Sequence, residues 1–172
     1  MIKAVIFDFN GVIINDEPIH QQLIEEILLE ENLVLKQCEY QQTCLGRSDR
    51  ACLRDLLASR GRVADEDYLT KLQQKKARSY VERIENLEEL PLYSGLDDFI
   101  FKIRSSNLKL AITSGAIRKE IDLVLERAKL AEYFKIVVAA DDITTSKPKP
   151  DGYLLTVERL IQEYPELNLQ PS

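Results

Sequence analysis

Histidine and cysteine are scarce in this chain, and tryptophan is absent. Zinc sites are built from close pairs of cysteine and histidine. With His20 as the only histidine, and Cys38, Cys44 and Cys52 spread apart, no such site is legible. An odd number of cysteines in helical patterns reads as reduced thiols, which suits a cytoplasmic chain. Apolar runs are short, and none approaches the roughly 20 residues that a bilayer span needs. Met1 opens almost directly into a strand pattern, so no secretory leader is expected. Excess positive charge is lacking too. The 23 basic and 29 acidic residues leave a net charge of −6, which gives little general affinity for nucleic acid. Arg47, Arg50, Arg54, Arg60 and Arg62 are spread among acids and read as a solvated helix face.

What is present is enough apolar content for a core, 45% of 172 residues, which suits one α/β domain or a small core with an insert. Three apolar, strand-like runs each end in polar residues. Ala4-Val5-Ile6-Phe7 leads to Asp8-Phe9-Asn10-Gly11, and residues 108–112 lead to Thr113-Ser114-Gly115. Ile136-Val137-Val138-Ala139-Ala140 leads through Asp141 and Asp142 to Ser146-Lys147-Pro148-Lys149-Pro150-Asp151. Such runs read as buried parallel strands, and open α/β sheets bind ligands at the carboxyl ends of their strands. A carboxylate, hydroxyls at a helix start and a lysine, delivered to one edge, are the components of a phosphate site. Asp8 could attack phosphorus and form an acyl phosphate. An Asp at a strand end can equally cap a turn. Lys149 is a neighbouring alternative to Lys147, and Asp151 is expected to cap the last helix.

Between the first and second strands the pattern turns helical. Residues 17–31 carry apolar positions at Ile19, Leu23, Ile24, Ile27 and Leu28, which share one helical face. Ser48 can cap a helix running to Arg60 that stops at Gly61, and residues 65–84 form another amphipathic helix. From Ser94 onward, helices at 94–106, 117–127 and 151–164 alternate with strands at 108–113 and 136–140, which gives right-handed βαβ units. The fold class expected is therefore α/β, a Rossmann-like parallel sheet core (1–15 and 93–172) with an inserted helical cap (16–92). His20, one turn into the first cap helix, could touch a substrate or steady the hinge.

These three motifs, in this order, resemble the haloacid dehalogenase superfamily in its β-phosphoglucomutase and phosphatase branch, and the likeness runs the whole chain. The first family motif is similar to Asp8-Phe9-Asn10-Gly11-Val12-Ile13, the second to Thr113-Ser114-Gly115 and the third to Ser146-Lys147-Pro148. The resemblance implies a small helical cap, Asp8 as nucleophile and Lys147 as its cationic partner. It implies phosphate donors at Thr113, Ser114 and Gly115, and Mg²⁺ held by the Asp8 carboxylate and the Asn10 backbone carbonyl. Gly46-Arg47-Ser48 resembles a cap segment that faces substrate, so Arg47 or Arg50 could meet a distal phosphate.

Two departures matter. Family phosphatases and mutases carry a second Asp as general acid/base two residues after the nucleophile, where this chain has Asn10. The fourth motif, an acidic pair for Mg²⁺, is expected shortly after Leu169, and the sequence stops at Ser172. The chain is therefore expected to be C-terminally truncated, to bind Mg²⁺ weakly and to expose its first strand, with self-association through that edge. The function expected is a phosphohydrolase acting on a small phosphorylated metabolite, with no nucleic acid or membrane partner. The alternatives are a phosphoglucomutase-like phosphotransferase and a non-catalytic binding or regulatory protein on the same scaffold.

Overall fold

The structure is a computed structural model and describes residues 2–168. In chain order the elements are β1 (Ala4–Phe7), α1 (Glu17–Glu30), α2 (Glu39–Thr43), α3 (Asp49–Ala58), α4 (Glu66–Asn86), α5 (Leu96–Ser105), β2 (Lys109–Thr113), α6 (Arg118–Arg127), β3 (Ile136–Val138) and α7 (Asp151–Glu163). They form two compact units: Met1–Asn15 with Leu90–Ser172, and Asp16–Glu89.

The first unit is built on a parallel sheet in the order β1-β2-β3. Ala4 pairs with Lys109 and Phe7 with Ile112 in one ladder, and Ala111 with Ile136 in the next. Side chains alternate across a strand, and β1 follows the rule. Ala4 and Ile6 pack towards Ala111, Ile136 and Leu160 of α7. Phe7 turns to the other face, edge-on to Phe99 of α5 and to Phe134. The sheet is thus covered on both faces, the condition under which parallel strands are stable. Gly152 lets α7 approach β2 closely, since a Cβ there would stand 3.0 Å from Thr113 Cγ2.

The second unit is helical. Leu53, Leu56 and Leu57 of α3 meet Leu69 and Leu72 of α4 and Ile24, Ile27 and Leu28 of α1 in one buried cluster. Ser48 caps α3 as its sequence predicts, its Oγ accepting the Ala51 N–H at 3.4 Å. The short helix α2 has no counterpart in the sequence reading, because five residues carry too little periodicity to register.

Several expectations need correction. Cys44 and Cys52 form a disulfide across the α2–α3 turn, and Cys38 alone is a free, exposed thiol. The turn at Gly46 folds the two cysteines together, which their linear spacing conceals. Arg60 is not on a solvated face. Its side chain is 10% exposed, and it grips the Glu39 carboxylate and the Val34 carbonyl. The third strand ends at Val138 rather than Ala140. Pro150, not Asp151, holds the N-cap position of α7. Among the described residues no helix is long and apolar enough to cross a membrane.

Asp142 explains the early end of β3. It accepts the Ala139 N–H at 2.8 Å and pairs with Arg159 and Arg118. The two arginines also donate to the Val137 carbonyl, so the outer edge of β3 is closed by side chains. Burial pushes the Asp142 carboxyl upward. The Arg159 hydrogen bond, the Ala139 N–H and the charges of Arg159 and Arg118 outweigh it and hold the group below its usual value near 3.8. A lowered carboxyl contributes stability above its unfolded value and loses it as pH falls through the folded one. Asp142→Asn should therefore destabilise the chain at pH 7 by about 1–3 kcal/mol. In urea unfolding followed by circular dichroism, the gap to the unmodified chain should close as pH falls below about 3.8.

Candidate active site

The carboxyl end of β1 turns sharply. The Phe9 carbonyl accepts the Ile13 N–H at 2.9 Å, and the Gly11 N–H reaches the Ile14 carbonyl at 2.8 Å. Gly11 sits at φ +75°, a conformation that L side chains rarely adopt. Phe9 is fully buried while Asp8 and Asn10 on either side of it are half-buried. The turn is thus anchored by one aromatic ring, and two polar side chains are left at the sheet edge.

Lys147 comes to the same place from the other end of the sequence. It lies in a turn closed by the Lys149 N–H on the Ser146 carbonyl at 3.1 Å. Its Nζ donates to Asp8 Oδ2 at 2.5 Å, and Asp8 Oδ1 accepts the Phe9 N–H at 2.8 Å. The lysine also stands 5.8 Å from the Tyr153 ring centroid. The Asp8 side chain is 34% exposed and that of Lys147 23%, so the pair is partly dry and open to a ligand. A carboxylate whose charge is already offset by a cation is suited to meet an anion, because the repulsion that opposes approach is reduced.

The end of β2 is arranged differently from the reading of its motif. The Thr113 hydroxyl is buried against Thr156 Oγ1 of α7 at 2.5 Å, so the structure turns it into the core. Ser114 donates its N–H to the Val138 carbonyl at 2.9 Å, and its Oγ accepts the Ala116 N–H at 3.0 Å. The Ser114 hydroxyl hydrogen is left to donate elsewhere. At the start of α6, the Arg118 N–H is taken by Asp141 Oδ2 at 2.6 Å. A protein carboxylate thus occupies part of the helix N-terminus expected to serve phosphate, and Gly115 beside it leads into that helix.

In the helical unit, His20 belongs to a buried polar network. Its Nδ1 lies 2.6 Å from Lys76 Nζ and its Nε2 3.1 Å from Asp16 Oδ2. An ammonium has hydrogens to give and no lone pair. Nδ1 must therefore accept, which places the ring proton on Nε2, facing Asp16. Lys76 also donates to Asp49 at 2.7 Å, Tyr80 donates to Asp16 at 2.6 Å, and the Tyr80 ring stacks on His20 at 4.8 Å. Arg47 pairs with Asp55 at 2.7 Å and donates to the Thr43 carbonyl. Arg50 is held by Glu66 and Thr70. Both arginines are engaged within the unit's own surface.

The sequence reading gives Lys76, Asp16 and Tyr80 no role. A signal existed for Lys76, because it falls on the same helical stripe as Leu69, Leu72 and Tyr80, all buried. A lysine on an apolar stripe calls for a partner. Removing one member of a buried charge pair leaves the other uncompensated, so Lys76→Ala should cost about 3–5 kcal/mol. Chemical denaturation read by tyrosine fluorescence checks this.

With this geometry in view, comparison with known proteins is informative. The pattern of the family described as haloacid dehalogenase-like hydrolase matches residues 5–167. The phosphorylated carbohydrates phosphatase of Thermotoga maritima is 27% identical over 160 residues, covering 92% of this chain and 71% of that protein. A β-phosphoglucomutase from Clostridium difficile superposes with a TM-score of 0.84 at 21% identity, covering 93% of this chain and 71% of its own. An Asp-to-Asn variant of CbbY from Rhodobacter sphaeroides, solved with xylulose-1,5-bisphosphate, superposes with a TM-score of 0.81 at 20% identity, covering 93% and 73%.

Proposed function

Because the chain belongs to the haloacid dehalogenase-like hydrolase family, we propose that it removes phosphoryl groups from a small phosphorylated metabolite, with Asp8 as nucleophile. The observation that carries this reading is the Lys147–Asp8 contact of 2.5 Å at the carboxyl end of β1. The two residues are separated by nearly the whole sequence, and the fold brings a carboxylate and an ammonium together as one group, which supports the roles of nucleophile and counter-cation. Relatives with phosphatase names support the reaction class.

The Asp8 carboxylate would attack phosphorus in line with the leaving oxygen, forming phosphoryl-Asp8, and water would then release phosphate. Lys147 would offset charge on Asp8 and on the phosphoryl oxygens, and the Ser114 hydroxyl would donate to one of them. The helical unit would serve as a cap that keeps bulk water from the reacting groups.

Family membership points to Mg²⁺. The donors here are hard oxygens, the Asp8 carboxylate and the Asn10 carbonyl, which suit that ion. Among the described residues no group of three or more His, Cys, Asp or Glu stands ready to hold a metal. Mg²⁺ commonly takes one or two carboxylates and completes its shell with water and substrate phosphate. The two oxygens therefore fit a weak site that phosphate strengthens. When bound, the ion would supply charge stabilisation on the transferring group.

The test is hydrolysis of p-nitrophenyl phosphate in Mg²⁺ buffer. Asp8→Asn should lower turnover by at least ~10³-fold, since the covalent intermediate would form on that carboxylate. Unchanged turnover in that variant would remove Asp8 from the reaction.

A further inference from the structure

The Lys147 ammonium has two partners among the described residues. One is the Asp8 carboxylate at 2.5 Å, and the other is the face of the Tyr153 ring, with Nζ 5.8 Å from its centroid. A lysine head is a point charge on a flexible four-carbon stem, so what it touches sets its position. Asp8 holds it only while the carboxylate keeps its charge. When an Asp8 oxygen bonds phosphorus, the bond from phosphorus to the leaving oxygen breaks, and its electron pair departs with that oxygen. Asp8 is then an acyl phosphate, and the carboxylate charge that held the ammonium is gone. The Tyr153 ring is unchanged by that step.

The ring is placed independently of Asp8. Tyr153 lies in the first turn of α7, next to the buried Gly152. A Cβ on Gly152 would stand 3.0 Å from Thr113 Cγ2, and the Thr113 and Thr156 hydroxyls meet at 2.5 Å. The start of α7 is thus pinned to β2, the strand paired with β1. Tyr153 itself is 41% exposed, so core packing does not account for the ring. Among the described residues its hydroxyl enters no hydrogen bond. What remains is the π face, whose negative charge attracts a cation within about 6 Å of the centroid.

Resting on the phosphohydrolase reading above, we propose that Tyr153 is a positioning residue for Lys147. Its π face keeps the ammonium at the carboxyl end of β1 while Asp8 passes from carboxylate to acyl phosphate and back. Lys147 therefore stays in place to offset charge on the phosphoryl oxygens in both steps. The charge distribution of the ring does this, not its bulk and not its hydroxyl.

Two readouts test the assignment, and the first needs no turnover. In an Asp8→Asn background, acetylation of Lys147 by acetic anhydride, which takes the neutral amine, is followed by peptide mass. The neighbouring exposed Lys149 is the internal control. Adding Tyr153→Leu should speed Lys147 acetylation by about two- to fivefold, the scale of one partly exposed cation–π contact, with Lys149 unchanged. Tyr153→Phe should restore the slow rate. Phenylalanine carrying one, two and three ring fluorines at position 153 should speed it stepwise, because fluorine drains the ring face at nearly constant size. The second readout is p-nitrophenyl phosphate turnover in Mg²⁺ buffer by chains that retain Asp8. There kcat should fall by about two- to fivefold in Tyr153→Leu, be rescued by Tyr153→Phe and decline along the fluorine series. If Tyr153→Leu fails to fold by circular dichroism, the fluorine series, which keeps the ring, decides alone.

Equal Lys147 acetylation with Tyr153 and with Tyr153→Leu overturns the proposal, and so does a flat fluorine series. A loss of turnover as large in Tyr153→Phe as in Tyr153→Leu overturns it too, because the hydroxyl is then the active part. In these cases the phosphohydrolase reading stands. A stepwise acetylation series in a chain whose turnover is absent, or indifferent to Asp8→Asn, overturns that reading and the positioning role with it.

Discussion

The parallel pairing of β1 with β2 is the constraint on which the rest of the core depends. Ala4 to Phe7 align with Lys109 to Ile112 in unbroken register, although about a hundred residues and a whole helical unit separate the two strands. Closing so long a loop costs conformational entropy, which the ladder offsets only with packing on both faces. Leu160 on one side and Phe99 with Phe134 on the other supply it. Once the register is set, strand direction brings the turn after Phe7 to the same edge as the turn after Thr113. The second ladder adds the segment after Val138. Lys147 reaches Asp8 because three parallel strands end together.

The helical unit is held differently. Its leucine cluster is conventional, but beside it lie the buried ions Lys76 and Asp16 and the half-buried Asp49, with His20 and Tyr80. A buried ionic network is a poor source of net stability, since desolvation offsets much of the attraction. What it does supply is directionality, because each hydrogen bond in the set fixes the next group's role as donor or acceptor. The Lys76 ammonium dictates the His20 tautomer, and the tautomer dictates which side of the ring faces Asp16. The Tyr40 hydroxyl nearby is pushed far above its usual range by burial and then by its 2.7 Å contact with Glu17.

The two outer edges of the sheet carry different chemistry. The β3 edge is closed by Arg118, Arg159 and Asp142 acting on the Val137 carbonyl and the Ala139 N–H. At the other side, β1 pairs with β2 alone among the described residues. Lys3 there donates to the carbonyls of Leu167 and Asn168, so the segment following α7 lies beside the start of β1. The acidic pair Asp141–Asp142 is thereby explained as architecture. Its carboxylates tie a strand end and a helix start together and leave Asp8 as the carboxylate paired with Lys147.

The three strand-to-polar transitions were legible in the sequence because buried parallel strands are continuously apolar, and open α/β sheets place their ligand-facing residues just after the carboxyl ends of those strands. The helix spans of α1, α3 and α4 were legible from apolar spacing and from Ser48. So was the chemistry available at residue 10, because an amide is an amide in any fold. The Cys44–Cys52 bond, the burial of Arg60 and the place of Lys76 were decided by tertiary structure, since each depends on a partner brought from another element. The inward turn of the Thr113 hydroxyl was also decided there: a Thr at a strand end can face ligand or core, and only Thr156 and Gly152 on α7 settle which. Local sequence determines what each residue is able to do, and long-range packing determines which of those abilities it can use.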